Sequence, residues 1–386
     1  MPAFTPPLTR AQRTRRRRLL QALLPVLIPA ALLLLFLPLR SVGGAMSWVV
    51  TWITSPWKRL VSWLLDPLPC SGAELCWAAA ILGLLLFLGR TVWLLVRFRE
   101  DRLRRLGRRG LALLSALLMV WAGLTWLWGA NYYAPSFSAQ SGLTARGASA
   151  EELYALAVSF AAEANSLSAQ MPRDENGVLT LDAAALLRDT AGLYDGILEE
   201  FPCLDGPERT PKPMLFSRLM SYLGFTGFFF PLTGEANLNV DSPAAFLPCT
   251  VAHELAHQRN VAAEEEANFV AILTCLRSGD PVYRYSGAIT GFVHLSNALY
   301  RADYDLWVSC YHSVSSQVRA DLDANNAYWA QFETPVEDAA GAVYDGFLQS
   351  YGQELGMQSY GACVDLLVAY YFDRECGQPA SPASQP

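Results

Sequence analysis

Thr250-Val251-Ala252-His253-Glu254-Leu255-Ala256-His257-Gln258 is the stretch on which fold and chemistry turn. Small and aliphatic residues, with no proline, separate its polar members, a texture that makes a buried helix. Residues four apart share one helix face, so His253 and His257 can reach one metal ion while Glu254 sits beside it. The chain holds 4 histidines in 386 residues, and this composition produces about 0.002 HExxH matches by chance. The bland alternative is a pair of solvated histidines, which the apolar neighbours disfavour.

Zinc in a hydrolytic site takes three protein ligands and keeps a fourth position for water. The third is sought at Glu264, Glu265 and Glu266, which open the next helix after a break at Asn260. Glu266 has Phe269, Val270 and Leu273 on its stripe and is the expected ligand; Glu265 is the alternative, and Glu264 is set aside because it shares a face with Asn268. The helix macrodipole favours acidic residues here in any case. Tyr283, Arg284 and Tyr285 are candidates to stabilise a developing oxyanion, and His294, with His312 behind it, is an alternative as metal ligand or transition-state donor.

Outward from the motif, the chain divides by charge. Residues 1–130 carry 17 Lys/Arg against 4 Asp/Glu, and residues 131–386 carry 12 against 31. With 52% hydrophobic and 17% charged residues, the chain reads as a membrane anchor (1–130) followed by a domain (131–386), with no nucleic-acid partner. Spans are expected at about 19–39, 75–96 and 111–130, each near the ~20 residues that cross a bilayer. Arg10, Arg13 and Arg15–Arg18 precede the first, and Arg97–Arg109 hold seven arginines between the second and third. The positive-inside rule therefore predicts a multi-pass protein of the cytoplasmic membrane, N-terminus inside and 131–386 outside. A cleaved signal peptide is the alternative for the first span. Loop 40–74, with Trp48, Trp52, Trp57 and Trp63, is either an interfacial amphipathic helix or an ordinary packed loop.

The second half reads as mainly α with a small β element. Ser149 and Glu152 form a capping box for a helix to about 170, and a second helix is expected over 182–200. Phe225–Phe230 and Glu235–Val240 predict a hairpin. Further helices are expected over 244–259, 263–277, 283–301, 303–320, 338–354 and 358–372, before a Pro/Ser-rich tail at 377–386. The eight cysteines include no CxxC, and no disulfide pairing follows from their spacing.

Pro231-Leu232-Thr233-Gly234-Glu235-Ala236-Asn237, the HExxH, Glu266-Ala267-Asn268-Phe269, Tyr285-Ser286-Gly287 and Ser359-Tyr360-Gly361 with Val364-Asp365-Leu366-Leu367 carry a resemblance. Together they resemble an uncharacterised bacterial membrane-protein family, domain of unknown function 3810, over most of the chain. The resemblance implies a zincin-like peptidase without naming a substrate, and it supports Glu266 by analogy with zincins whose next helix opens with the ligand glutamate. Asn260 stands where relatives tend to have glycine.

The expected function is hydrolysis of peptide bonds at the cell envelope. One Zn²⁺ ion on His253, His257 and Glu266 activates water, and Glu254 acts as the general base. A strand near 235–240 is expected to pair with an extended substrate. A non-catalytic metal-binding sensor or assembly domain, and an amide hydrolase acting on non-peptide substrate, are the rivals. An intramembrane protease is not: residues 244–256 are too short to span and include Pro248 and His253.

Overall fold

The computed structural model of the chain describes residues 10–351 and 360–373. The tail at 377–386, Cys376, Ser359 and the side chains of Arg13 and Arg15–Arg18 lie outside the described residues. Numbering helices of nine residues or more, α1 spans Arg10–Leu39, α2 Ser55–Leu65, α3 Gly72–Arg97 and α4 Arg102–Leu127. Both α3 and α4 are long and apolar enough to cross a membrane. They hold two of the three expected spans, while the apolar run of α1, Leu23–Leu39, is shorter.

Prolines 25, 29 and 38 lie inside α1. Pro29 has no N–H to give the Pro25 carbonyl, and Ser115 Oγ of α4 donates to that oxygen at 2.6 Å. Further along, Trp126 Nε1 donates to Leu32 O at 3.1 Å, so α1 and α4 run parallel. Helices α3 and α4 form an antiparallel pair in which Arg109 donates to Thr91 Oγ1 at 2.8 Å and Phe87 O at 2.7 Å.

Loop 40–74 is largely helical, through Ala45–Val49, a π-helical turn Val50–Thr54 and α2. One polar stripe points inward, with Thr54 0% exposed and Lys58 and Ser62 1% exposed, while Thr51 and Arg59 are exposed. The large apolar residues of α2 point outward, with Trp57 42%, Leu60 54%, Trp63 58% and Leu64 58% exposed, whereas Met46 and Val49 before it are buried.

The hairpin predicted at 225–240 is present as β2 (Gly227–Phe230) and β3 (Glu235–Leu238), pairing Phe228 with Asn237. A two-residue β1, Lys212–Pro213, which sequence reading missed, lies parallel to β3, giving the order β1-β3-β2. The strand predicted at 235–240, β3, is therefore the central strand and is not free to take a substrate strand; the unpaired edges belong to β1 and β2, and β2 is the one beside the cavity. The α2–α3 junction seals this sheet, with Ser71 Oγ 2.6 Å from Asn237 Oδ1 and Gly72 N donating to Glu235 Oε1 at 3.3 Å. Trp57 Nε1 donates to Leu232 O at 3.2 Å. Residues before 130 and after 131 thus share one packed interface.

The remaining helices are α5 (Ala150–Ser168), α6 (Leu247–Gln258), α7 (Glu264–Leu276), α8 (Pro281–Ala302), α9 (Tyr304–His312), α10 (Ser316–Trp329), α11 (Pro335–Ser350) and α12 (Tyr360–Val368). The Ser149–Glu152 capping box opens α5 as predicted. Helices α5 and α8 pack so closely that a Cβ on Gly291 would lie 2.2 Å from the Phe160 ring. Two expected helices are broken. The 182–200 segment splits into Ala183–Arg188 and Asp195–Leu198 around Gly192, whose φ is +70°. The 303–320 segment splits into α9 and α10, because Ser315 caps a new start through Val318 N at 3.3 Å. Every cysteine among the described residues is a free thiol.

Candidate metal centre

Pro248 in the first turn, where its missing N–H leaves no bond unmade, starts α6. Its end is set by Asn260, whose φ of +73° is left-handed. Val261 N then donates to Ala256 O at 3.1 Å, the helix-closing bond that such a residue permits. The same turn orients His257: its Nδ1 lies 2.7 Å from Val261 O. Because that carbonyl can only accept, Nδ1 carries the proton and Nε2 faces the cavity with its lone pair.

The chain re-enters a helix at Glu264, and that carboxylate reaches the pair. Oε2 lies 3.2 Å from His253 Nε2 and 3.7 Å from His257 Nε2. One ligand atom from each of these residues lies within 4.8 Å of the others, the one such group among the described residues. Tyr344 of α11 donates its hydroxyl to the other oxygen, Oε1, at 2.6 Å. Two imidazole nitrogens and one carboxylate oxygen converging this closely are the donor types and number that a divalent ion takes, so the residues present fit such an ion with a His/His/Glu donor set. With only protons to share, His257, which burial alone would lower, is raised to about 9 by Glu264 beside it. Burial raises the Glu264 carboxyl, but His257 and His253 hold it well below the usual carboxylate range.

Glu266 is not in this group. Its Oε2 accepts from Phe137 N at 2.8 Å and its Oε1 from Ser138 N at 2.9 Å, so it closes the start of the short helix Phe137–Ser141. The apolar stripe that singled it out is core: Phe269 and Val270 are 0% exposed and Leu273 1%. Asn268, the polar neighbour that argued against Glu264, lines the cavity that His253, His257 and Glu264 face. A polar helix face was thus read as a solvent face when it is a cavity face. Glu265 is not in the converging group either.

Glu254 is 3% exposed and lines the same cavity. Its Oε2 makes no protein hydrogen bond. Burial pushes its carboxyl up to about 7, against the pull of His253 and His257. The β2 strand passes directly over it, and a Cβ on Gly227 would lie 2.7 Å from Glu254 Oε1, so only glycine fits at this approach.

The cavity measures about 480 Å³. Its polar floor is His253, Glu254, His257 and Glu264, and aromatic walls come from Phe228, Phe229, Phe246, Trp329 and Phe347. Leu124 and Trp128, at the end of α4, complete it, and the Trp128 ring meets His257 edge-on at 5.5 Å. Of the oxyanion candidates, only His294 lines this cavity; burial and then His253 lower its pKa to about 4, leaving a neutral imidazole. Tyr285 instead donates to Asp321, Arg284 pairs with Glu163, and Tyr283 and His312 do not line the cavity.

Two neighbours of the centre escaped sequence reading. Tyr344 lies 80 residues from the carboxylate it orients, with no local pattern to mark it. Lys58 of α2, 1% exposed, reaches under the centre: Nζ donates to His257 O at 3.4 Å and lies 5.0 Å from the Phe229 ring centroid. Burial, then the Arg59 charge, lower its pKa to about 7.

No curated protein and no solved structure matches the chain. A family model described as protein of unknown function (DUF3810) matches residues 50–368, from the π turn before α2 to the end of α12, and the chain belongs to that family.

Proposed function

We propose that this chain is a membrane-spanning zinc metallopeptidase whose site is built from His253, His257, Glu264 and Glu254. One observation carries the reading: two imidazole nitrogens and one carboxylate oxygen converge within 4.8 Å beside a buried glutamate, at the floor of a cavity large enough for side chains. Zinc bound there supplies Lewis acidity and brings the pKa of water towards ~7. Glu254 accepts a proton from water in the cavity and delivers it to the leaving nitrogen, which its high pKa suits. His294, as a neutral imidazole, is placed to donate to the carbonyl oxygen of a substrate. The unpaired edge of β2, which runs along the cavity, is where an extended backbone can add as a strand.

The arginines at the α3–α4 junction, from Arg97 at the end of α3 to Arg109 in α4, support a cytoplasmic place for that junction and an outside place for the other end of α4 with the site. Parallel packing of α1 on α4 agrees with α1 as a further span.

The test is metal content and hydrolysis of the purified full chain, wild type beside Glu254→Gln. Zinc at one ion per chain in both, with cleavage of a mixed fluorogenic peptide library by wild type alone, supports the mechanism. Equal cleavage by Glu254→Gln removes the general base. No zinc in folded protein never exposed to chelator moves the reading to a non-catalytic binding domain.

A further inference from the structure

Helix α2 is inside out for a helix in water. An amphipathic helix at a protein surface buries its apolar stripe and exposes its polar one. Here Thr54, Lys58 and Ser62 face the protein, while Trp57, Leu60, Trp63 and Leu64 face away, with Arg59 the one exposed charge among them, and Trp52 precedes them at 66% exposure. A second apolar outcrop lies across the α2–α3 turn. Leu215 is 81% exposed, and Phe216 and Leu219, on and beside the short helix Ser217–Tyr222, are 58% and 56% exposed.

The two outcrops are tied to the start of α3. Leu215 N and Phe216 N donate to the Glu74 carboxylate at 3.1 and 2.9 Å. Lys212 Nζ donates to Asp66 O and Leu68 O, at 2.7 and 2.9 Å, in the turn that leaves α2. Leu75 and Trp77, 50% and 57% exposed, stand beside the Glu74 that holds Leu215 and Phe216, so exposed apolar side chains lie on α2, at the start of α3 and at the Leu215 outcrop. Scattered exposed apolar residues are ordinary, but a contiguous patch adjoining a helix that is itself apolar and outward-facing marks a surface that meets something other than water.

We propose that the outer face of α2 and the Leu215–Leu219 outcrop form one lipid-contact collar, seated in the phospholipid bilayer where α3 enters it. The inference rests on the reading of α3 as a membrane span. The collar sets the height of the metal centre. Lys58, on the inner face of α2, donates to the His257 carbonyl, and Leu124 and Trp128 at the end of α4 line the cavity. The cavity therefore sits at the bilayer surface, and the substrates that reach it most readily are polypeptides held at that surface by their own membrane anchor.

Full-length Trp63→Cys and Leu215→Cys, each in a Cys76→Ser background, are labelled with an environment-sensitive fluorophore and reconstituted into phosphatidylcholine vesicles. Leu85→Cys, mid-way along α3, reports the span, and Val343→Cys, 76% exposed on α11, reports water. Labels at 63 and 215 are expected to be quenched by phosphatidylcholine brominated near the headgroup end of its chains and several-fold less than 343 by aqueous iodide. Iodide quenching at 63 and 215 equal to that at 343, with 85 still in lipid, overturns the collar and leaves the span. Position 85 open to iodide overturns the span and the collar with it. Loss of both kinds of quenching at 63 and 215, with energy transfer between labelled copies, overturns lipid as the occupant in favour of a second copy.

Discussion

Glu264 and Glu266 stand two residues apart in the first turn of α7, and they do opposite things. Glu264 turns an oxygen to two imidazoles and is held by Tyr344; Glu266 takes two backbone N–H groups and closes a neighbouring helix. One carboxylate is available to a cation and the other is consumed by the fold. Glu266 is buried and Glu264 is only half-buried, and the groups that face them differ: backbone N–H donors for Glu266, imidazoles and a phenol for Glu264. The largest expected effect follows from this difference. In elemental analysis of the purified full chain, Glu264→Ala and His257→Ala should take zinc from about one ion per chain to near none, while Glu266→Ala keeps it. Zinc lost in Glu266→Ala and retained in Glu264→Ala would reverse the assignment.

The same pair sharpens on stability. Glu266→Ala leaves the Phe137 and Ser138 amides without their acceptor and should lower unfolding free energy by about 1–3 kcal/mol in denaturant titration. Glu266→Gln, which keeps an acceptor oxygen, should recover part of that. Smaller again is the effect of removing the hydroxyl that orients Glu264. Tyr344→Phe should weaken zinc about tenfold in a competition titration, the usual scale for the partner of a metal ligand, with little change in the unfolding midpoint of the metal-free chain. Unchanged affinity would mean that Glu264 holds its place through helix α7 alone.

How much of this was legible beforehand depends on whether the information was periodic or relational. The HExxH helix, the 225–240 hairpin, the Ser149 cap and the apolar stretches of α3 and α4 are local patterns, and each appears where the pattern put it. The third carboxylate was not local. Helical spacing separated the faces of α7, but whether the face of Glu264 and Asn268 looks onto solvent or a cavity is decided by α11, far along the chain. The same ambiguity hid α2. Its two stripes are plain in the sequence, yet periodicity cannot say which stripe turns inward, and here the polar one does, with Lys58 meeting the end of α6 and the Phe229 ring of β2. Breaks at Gly192 and Ser315 were missed for a simpler reason: an Ala/Leu-rich or amphipathic run outweighs one capping residue when read without its neighbours.

Lys58 supplies the smallest and most diagnostic perturbation of the comparison, because it is a buried amine near the centre whose Nζ meets a backbone carbonyl and aromatic rings. Burial lowers its pKa from 10.5 to about 7, so between those values the unfolded chain binds a proton that the folded chain does not. Stability from this group therefore rises as pH increases from about 7 towards 10.5 and is lost as pH falls through 7. Lys58→Met fills the space without the charge, and buried charges replaced by apolar isosteres are commonly neutral or stabilising. The variant should unfold at pH 7 within about 1 kcal/mol of wild type or above it, and its midpoint should climb less between pH 7 and pH 10. Its zinc content should match wild type, since Lys58 contacts the main chain of His257 and not its imidazole. If Lys58→Met loses zinc as Glu264→Ala does, the division between charges that bind a metal and charges that brace the fold fails, and α2 belongs to the metal centre itself.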